Sequence, residues 1–244
     1  MIWLLSFILF LLLFLVGRER GFKTFVTFYI SIILIILYIL IMSFNVNAII
    51  LALIICILST VICLFLLNGY NIKTKSSFIS IMIILVLIFP LIFFISKNAN
   101  IQGFSMEDIE TIGYYSFDIN YDMTNVVIGM YLVCIIGTII DTSISISSAM
   151  NEVLVNNPKL SSKELFKSGM SIGQDILGTT VNTLFFALIC TFIGFFMWHK
   201  ELSLEYLLNY KVFAFDLIQL LISFIGSILI VPITSYVSSI MLKK

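Results

Sequence analysis

The chain has 244 residues, 61% of them hydrophobic and only 11% charged, a proportion that a single water-soluble core cannot enclose. Its 13 Lys+Arg and 13 Asp+Glu cancel. The cationic surplus behind most nucleic-acid binding is therefore missing, and the expected partner is the lipid bilayer, not nucleic acid.

A helix needs about 20 apolar residues to cross the hydrocarbon layer. Seven stretches meet or approach that length: 2–16, 25–43, 46–67, 78–96, 126–150, 179–198 and 212–241. The expected fold class is all-α, a polytopic transmembrane helix bundle of about seven spans. It forms a single domain over 1–244 with no separate soluble domain.

The first stretch has no basic residue before it and no small-residue cleavage site after it, while Arg18, Arg20 and Lys23 follow. It reads as an uncleaved span with its carboxyl end in the cytoplasm, which puts the amino terminus outside. Seven crossings then leave the carboxyl terminus in the cytoplasm. Cytoplasmic segments carry Arg18, Arg20, Lys23, Lys73, Lys75, Lys159, Lys163, Lys167, Lys243 and Lys244, against Lys97, Lys200 and Lys211 outside. That is the asymmetry insertion prefers.

The four cysteines, Cys56, Cys63, Cys134 and Cys190, lie in apolar runs without metal-site spacing and read as small buried hydrophobes. The outside loop 97–125 carries Glu107, Asp108, Glu110, Asp118 and Asp122. It reads as a solvated acidic loop, with Ser105 and Asp108 placed to cap a short helix. Pro90 and Pro232 fall inside spans four and seven, where each removes a backbone donor.

The first four spans are nearly pure Leu, Ile, Val and Phe. Span five changes character: Asp141, Ser145, Ser148 and Glu152 follow at intervals of four, three and four and so share a helix face. Near the bilayer centre an aspartate costs about 2.5 to 3.5 kcal/mol, so it needs a partner, a water-filled cavity or protonation. That face is expected to look into the bundle. After Pro158, Ser161 and Glu164 have capping-box spacing, so a helix is expected to start there and to lay Leu165, Phe166, Met170 and Ile172 along the membrane surface. Gly169 and Gly173 permit close helix approach, and Asp175, Thr179 and Asn182 share a face of span six. If spans five and six pack antiparallel, Asp141 meets Thr179, Asn182 or Thr183. Thr234, Ser235, Ser238 and Ser239 in span seven read as small-residue packing. Asp216, close to Lys211, reads as an interfacial residue, as does His199 beside Trp198.

Enzyme signatures are missing from the sequence: it has no His-Glu-x-x-His pair, no Gly-x-Ser-x-Gly turn and no glycine-rich phosphate loop. No catalytic residue, metal or cofactor is expected.

The run from Asp141 to Glu152, followed by the run from Ser168 to Thr183, resembles the YibE/F-like family of bacterial multi-span membrane proteins. The resemblance extends more loosely from Gly17 onward, including Asn68, Gly69 and Lys73. It implies a plasma-membrane, multi-pass protein that works beside a longer paralogue carrying an extracytoplasmic domain, this chain being the short member of the pair. The same two runs are weakly similar to the transmembrane halves of the SecD/SecF export motor and of resistance-nodulation-division transporters. There an aspartate-bearing span is followed by a cytoplasmic helix and a threonine-rich span. That similarity implies proton-coupled movement, with Asp141 in the place of the family aspartate. The functional expectation is a transporter or export-associated permease subunit, with Asp141, Thr142, Ser145, Asp175, Thr179, Asn182 and Thr183 as candidates for proton or cation coupling. The alternative is a non-transporting membrane scaffold or accessory subunit.

Overall fold

The computed structural model describes residues 1–44, 46–99, 122–198, 205 and 209–243. The long elements are α1 (Ile2–Met42), α2 (Ala48–Val61) continued by a π turn (Ile62–Leu66), α3 (Ile72–Ala99), α4 (Met123–Asn156), α5 (Ser162–Trp198) and α6 (Lys211–Met241). Among the described residues six helices are long and apolar enough to span a membrane, α2 counting together with its π turn. The chain is thus a multi-pass membrane protein built of helices. Most of the acidic loop, including Ser105 and Asp108, lies outside the described residues, as does His199.

The first two expected spans come as the single element α1, whose backbone leaves helical geometry at Arg18 (φ 46°, ψ −123°). In an unbroken helix Ser6 and Tyr29 would sit about 35 Å apart. Instead their hydroxyls touch, and the rings of Phe10 and Phe25 pack with centroids 4.9 Å apart. The two arms therefore lie side by side. Gly21 makes the approach feasible, since a Cβ there would fall 1.8 Å from the Leu13 carbonyl oxygen.

Local chemistry sets the other helix boundaries. Asn47 Oδ1 accepts from the Ile49 amide at 3.0 Å and Asp122 Oδ1 from the Thr124 amide at 3.0 Å, capping α2 and α4. Gly69 takes φ +70° after the π turn, where a side chain would be strained, and its amide donates to Phe65 O at 3.0 Å. At the start of α5 the Ser161 amide reaches Glu164 Oε2 at 2.7 Å and the Glu164 amide reaches Ser161 Oγ at 3.2 Å, closing the capping box reciprocally.

Helix α4 sits at the centre, in contact with α2, α3, α5 and α6. Ile128, Leu132, Ile135, Ile139 and Ile146 form its inward ridge, each at most 1% exposed. Burying such side chains contributes about 1.5 to 3 kcal/mol each against water, but in lipid close packing is what holds helices together. Gly169 and Gly173 supply that closeness. A Cβ on Gly173 would meet Val231 Cγ1 at 2.3 Å, and one on Gly169 would meet Met150 Sδ at 2.5 Å.

Two expectations are corrected here. The capped segment runs into the span as expected, as one helix of 37 residues, but its apolar side is not laid along the membrane surface, since Leu165 is buried beside Ile146, Met150 and Val231. The paired glycines draw it onto the bundle before it can lie flat. Among the cysteines only Cys56 is buried. Cys63 is partly buried, and Cys134 and Cys190 are exposed on the bundle surface, because outward positions of a membrane helix are as apolar in composition as inward ones. Pro90 and Pro232 stay within continuous helices.

Gly173→Ala is expected to force α5 from α6, lowering stability by about 1 to 3 kcal/mol, the usual cost of overpacking. Thermal unfolding in detergent measures it, and Val231→Ala in the same chain should restore most of the loss.

Candidate functional site

Helix α4 has two polar sides with opposite fates. Thr142, Ser143 and Ser147 are buried, at most 1% exposed. Cys134, Gly137, Asp141, Ser145 and Glu152 are exposed, with Ser148 half-buried among them. The second set forms one stripe along the helix, as the spacing of Asp141, Ser145, Ser148 and Glu152 requires. The expectation that this stripe looks into the bundle is overturned, because the isoleucine ridge and the Ser143–Ser147 side occupy the interior.

Asp141 makes no hydrogen bond or ion pair among the described residues. Cys63, in the π turn of α2, lies within electrostatic reach of its carboxylate. Widened turns of this kind recur at functional positions in helices. Thr142, one residue on, points the other way and donates to Thr138 O at 2.8 Å.

The expected meeting of Asp141 with span six is not made by hydrogen bonds. Helix α5 turns Gly169 and Gly173 inward, so Asp175, Thr179, Asn182 and Thr183 are exposed. Two of the hydroxyls are satisfied by their own helix: Thr179 Oγ1 donates to Ile176 O at 2.9 Å, and Thr183 Oγ1 to Thr179 O at 2.9 Å. Apart from the buried Thr142, the sequence-derived candidates thus lie on the outer surfaces of two helices in contact, without hydrogen-bonding one another.

The polar groups that do close are hydroxyls at the Lys73 end of the bundle. Ser238 Oγ donates to Ser76 Oγ at 3.1 Å, Ser76 Oγ lies 2.8 Å from Ser147 Oγ, and Ser147 Oγ donates to the Lys73 carbonyl at 2.8 Å. One donor direction satisfies all three. Beside this relay, Ser143 Oγ and Thr234 Oγ1 are 3.0 Å apart, and Ser77 Oγ donates to Ser143 O at 3.3 Å. All six hydroxyl residues are fully buried. The Thr234–Ser239 stripe of α6 is interior, as small-residue packing requires, although Ser235 Oγ is buried without a partner.

Sequence reading passed over Ser76, Ser77 and Ser80, because these three hydroxyls open an otherwise apolar span. Their spacing matches that of Ser143 and Ser147, and this was the available signal. Among the described residues no three His, Cys, Asp or Glu side chains are grouped to hold a metal ion.

Comparison with known proteins adds one positive finding. A family model described as YibE/F-like protein matches residues 5–244. Comparison with curated proteins and with solved structures gives no match.

The relay predicts coupling between its members. In a double-mutant cycle, Ser76→Ala and Ser147→Ala should show an interaction energy of about 0.6 to 1.7 kcal/mol, the range of interhelical hydrogen bonds in membranes. Unfolding midpoints of the four variants in one detergent test it, and strict additivity refutes it.

Proposed function

The chain belongs to the YibE/F-like family, and on that premise we propose that it is a bacterial plasma-membrane transporter or export-associated permease subunit coupled to a proton or cation through Asp141. The observation that carries this reading is a carboxylate in mid-helix, without a hydrogen bond or ion pair among the described residues, on an exposed polar stripe beside a π turn. Facing hydrocarbon, such a group costs about 2.5 to 3.5 kcal/mol, and intramembrane acids that escape this cost sit against polar protein or water. In this reading a second chain covers the stripe, and the ion moves along the seam between the two subunits. Ser145 and Ser148 line the seam from Glu152 to Asp141, while Asp175, Thr179, Asn182 and Thr183 border it on α5. The covering chain is a longer YibE/F-like paralogue with an extracytoplasmic domain. A second copy of this chain is a poorer cover, since it brings no mid-span cation to face the acid.

The membrane topology belongs to the same proposal. The side-by-side arms of α1 support counting it as two crossings, for seven in all, with the amino terminus outside. Arg18, Arg20, Lys23, Lys73, Lys75, Lys159, Lys163, Lys167 and Lys243 then occupy the cytoplasmic end, and Lys97 and Lys211 the outer end. The relay around Lys73 lies in the cytoplasmic half.

The same stripe favours a second reading, a non-transporting scaffold that docks another membrane complex through its polar face. The two part at Asp141→Asn. Under the transport reading the variant accumulates normally with its partner, yet coupled export falls by about 100-fold or more, the low end of what a positioned proton-transfer group contributes, while Asp141→Glu retains part of it. Under the scaffold reading Asp141→Asn lowers abundance or partner retention, and flux in proteoliposomes equals that of protein-free vesicles. Unchanged export and unchanged retention, in a strain without redundant copies, sink both. Topology is checked separately by reporter fusions: a periplasm-dependent phosphatase should be active at the amino terminus and inactive at the carboxyl terminus.

A further inference from the structure

Away from the Lys73 end, α4, α5 and α6 enclose a cleft of about 290 Å3, room for several water molecules at about 30 Å3 each. Cys134, Thr191, Asp216, Gln219 and Ser223 are its polar lining, with Leu184 and Leu188 among its apolar walls. Asp216, read from sequence as an interfacial residue near Lys211, has a half-buried carboxylate that borders this cleft, and it makes no hydrogen bond or ion pair among the described residues.

The hydroxyls decide what the cleft recognises. Thr191 Oγ1 donates to Ala187 O at 3.0 Å and Ser223 Oγ donates to Gln219 O at 2.8 Å. Each hydroxyl has a single proton, so these two offer the cleft lone pairs only. Together with the carboxylate they make an acceptor-rich lining that is negatively charged when Asp216 is ionised, and the Gln219 amide can turn its oxygen to a cation. Such a lining attracts cations and repels anions, and low-dielectric walls strengthen the effect.

We propose that this cleft is a binding site for a small monovalent cation, an alkali ion or an ammonium group, with Asp216 as its charged ligand. Cys134 also belongs to the exposed stripe of α4, two helical turns from Asp141, so the site adjoins the seam described above. It goes beyond the Asp141 reading and is testable in micelles without transport, so the two fail separately. Two sources share the chemistry: a free cation and the ammonium headgroup of an aminophospholipid.

Cys134 provides the probe. The full chain is prepared with Cys56→Ala, Cys63→Ala and Cys190→Ser, leaving Cys134 as its one thiol, in a non-ionic detergent. It is then modified with a trimethylammonium-ethyl or a sulfonatoethyl methanethiosulfonate. In both cases the Cys134 thiolate attacks the sulfenyl sulfur of the reagent, forming a mixed disulfide and expelling methanesulfinate, so the rate ratio reports the charge of the cleft and not the reactivity of the thiol. The cationic reagent should react faster by at least about tenfold at low salt. Asp216→Asn should bring the ratio near one, and Asp216→Glu should keep it. At constant ionic strength, balanced with N-methyl-glucamine, added K+ should slow cationic labelling of the wild-type cleft if a free cation is the ligand. If the headgroup is the ligand, phosphatidylethanolamine should slow it and K+ should not.

Where Asp216→Asn does not yield monodisperse protein, Gln219→Leu serves as the second variant, expected to keep the charge preference while weakening protection. Equal rates for the two reagents, a ratio indifferent to Asp216→Asn, a thiol closed to both, or no protection by either cation source would each overturn the proposal.

Discussion

The buried hydroxyl contacts among α3, α4 and α6 settle which side of α4 faces inward. In hydrocarbon a polar group without a partner is costly, while apolar side chains gain little by leaving lipid for protein. Helices are therefore oriented less by their leucines than by the few polar and small residues that must find mates. Ser143 and Ser147 find theirs on α3 and α6, within 3.0 Å of Thr234 and 2.8 Å of Ser76 and the Lys73 carbonyl. Once they do, the opposite side of the same helix has nowhere to go but out.

That outward side carries Asp141, and here the same constraint points beyond the chain. A helix can hide several serines by bonding each hydroxyl to its own backbone, as Thr142, Thr179 and Thr183 do. A carboxylate has no donor to offer its helix when ionised and no such retreat. Its exposure within the single chain, beside the π turn, leaves the site half built. The polar residues of α5 also face out. The arrangement is that of one wall of a seam, and the family context supplies the other wall under the proposal above.

The glycines shape that wall from behind. Gly169 and Gly173 bring α5 so close to Val231, Met150 and Ser235 that the helix is fixed along its first turns. Farther along, α5 is held through larger side chains and stands off enough to leave the cleft around Asp216. Small residues at one end and a gap at the other let a single helix serve as a tight strut and as a loose flank.

What the residues determined on their own was the membrane class, the all-helical fold and the capped start at Ser161, while the first two expected spans came as one element. Long apolar runs and a capping box are short-range signals, and each depends only on neighbours in sequence. The 4-3-4 spacing also predicted correctly that Asp141, Ser145, Ser148 and Glu152 share a face. Which way that face points was not legible, since composition inside and outside a membrane bundle is alike and the periodicity that marks an inward face in water fades. The same blindness misplaced Cys134 and Cys190 and passed over Ser76 and Ser77. Only the tertiary structure decided it: two serines four residues apart on α4 found hydroxyl partners on α3 and α6, and that match in space turned the aspartate outward.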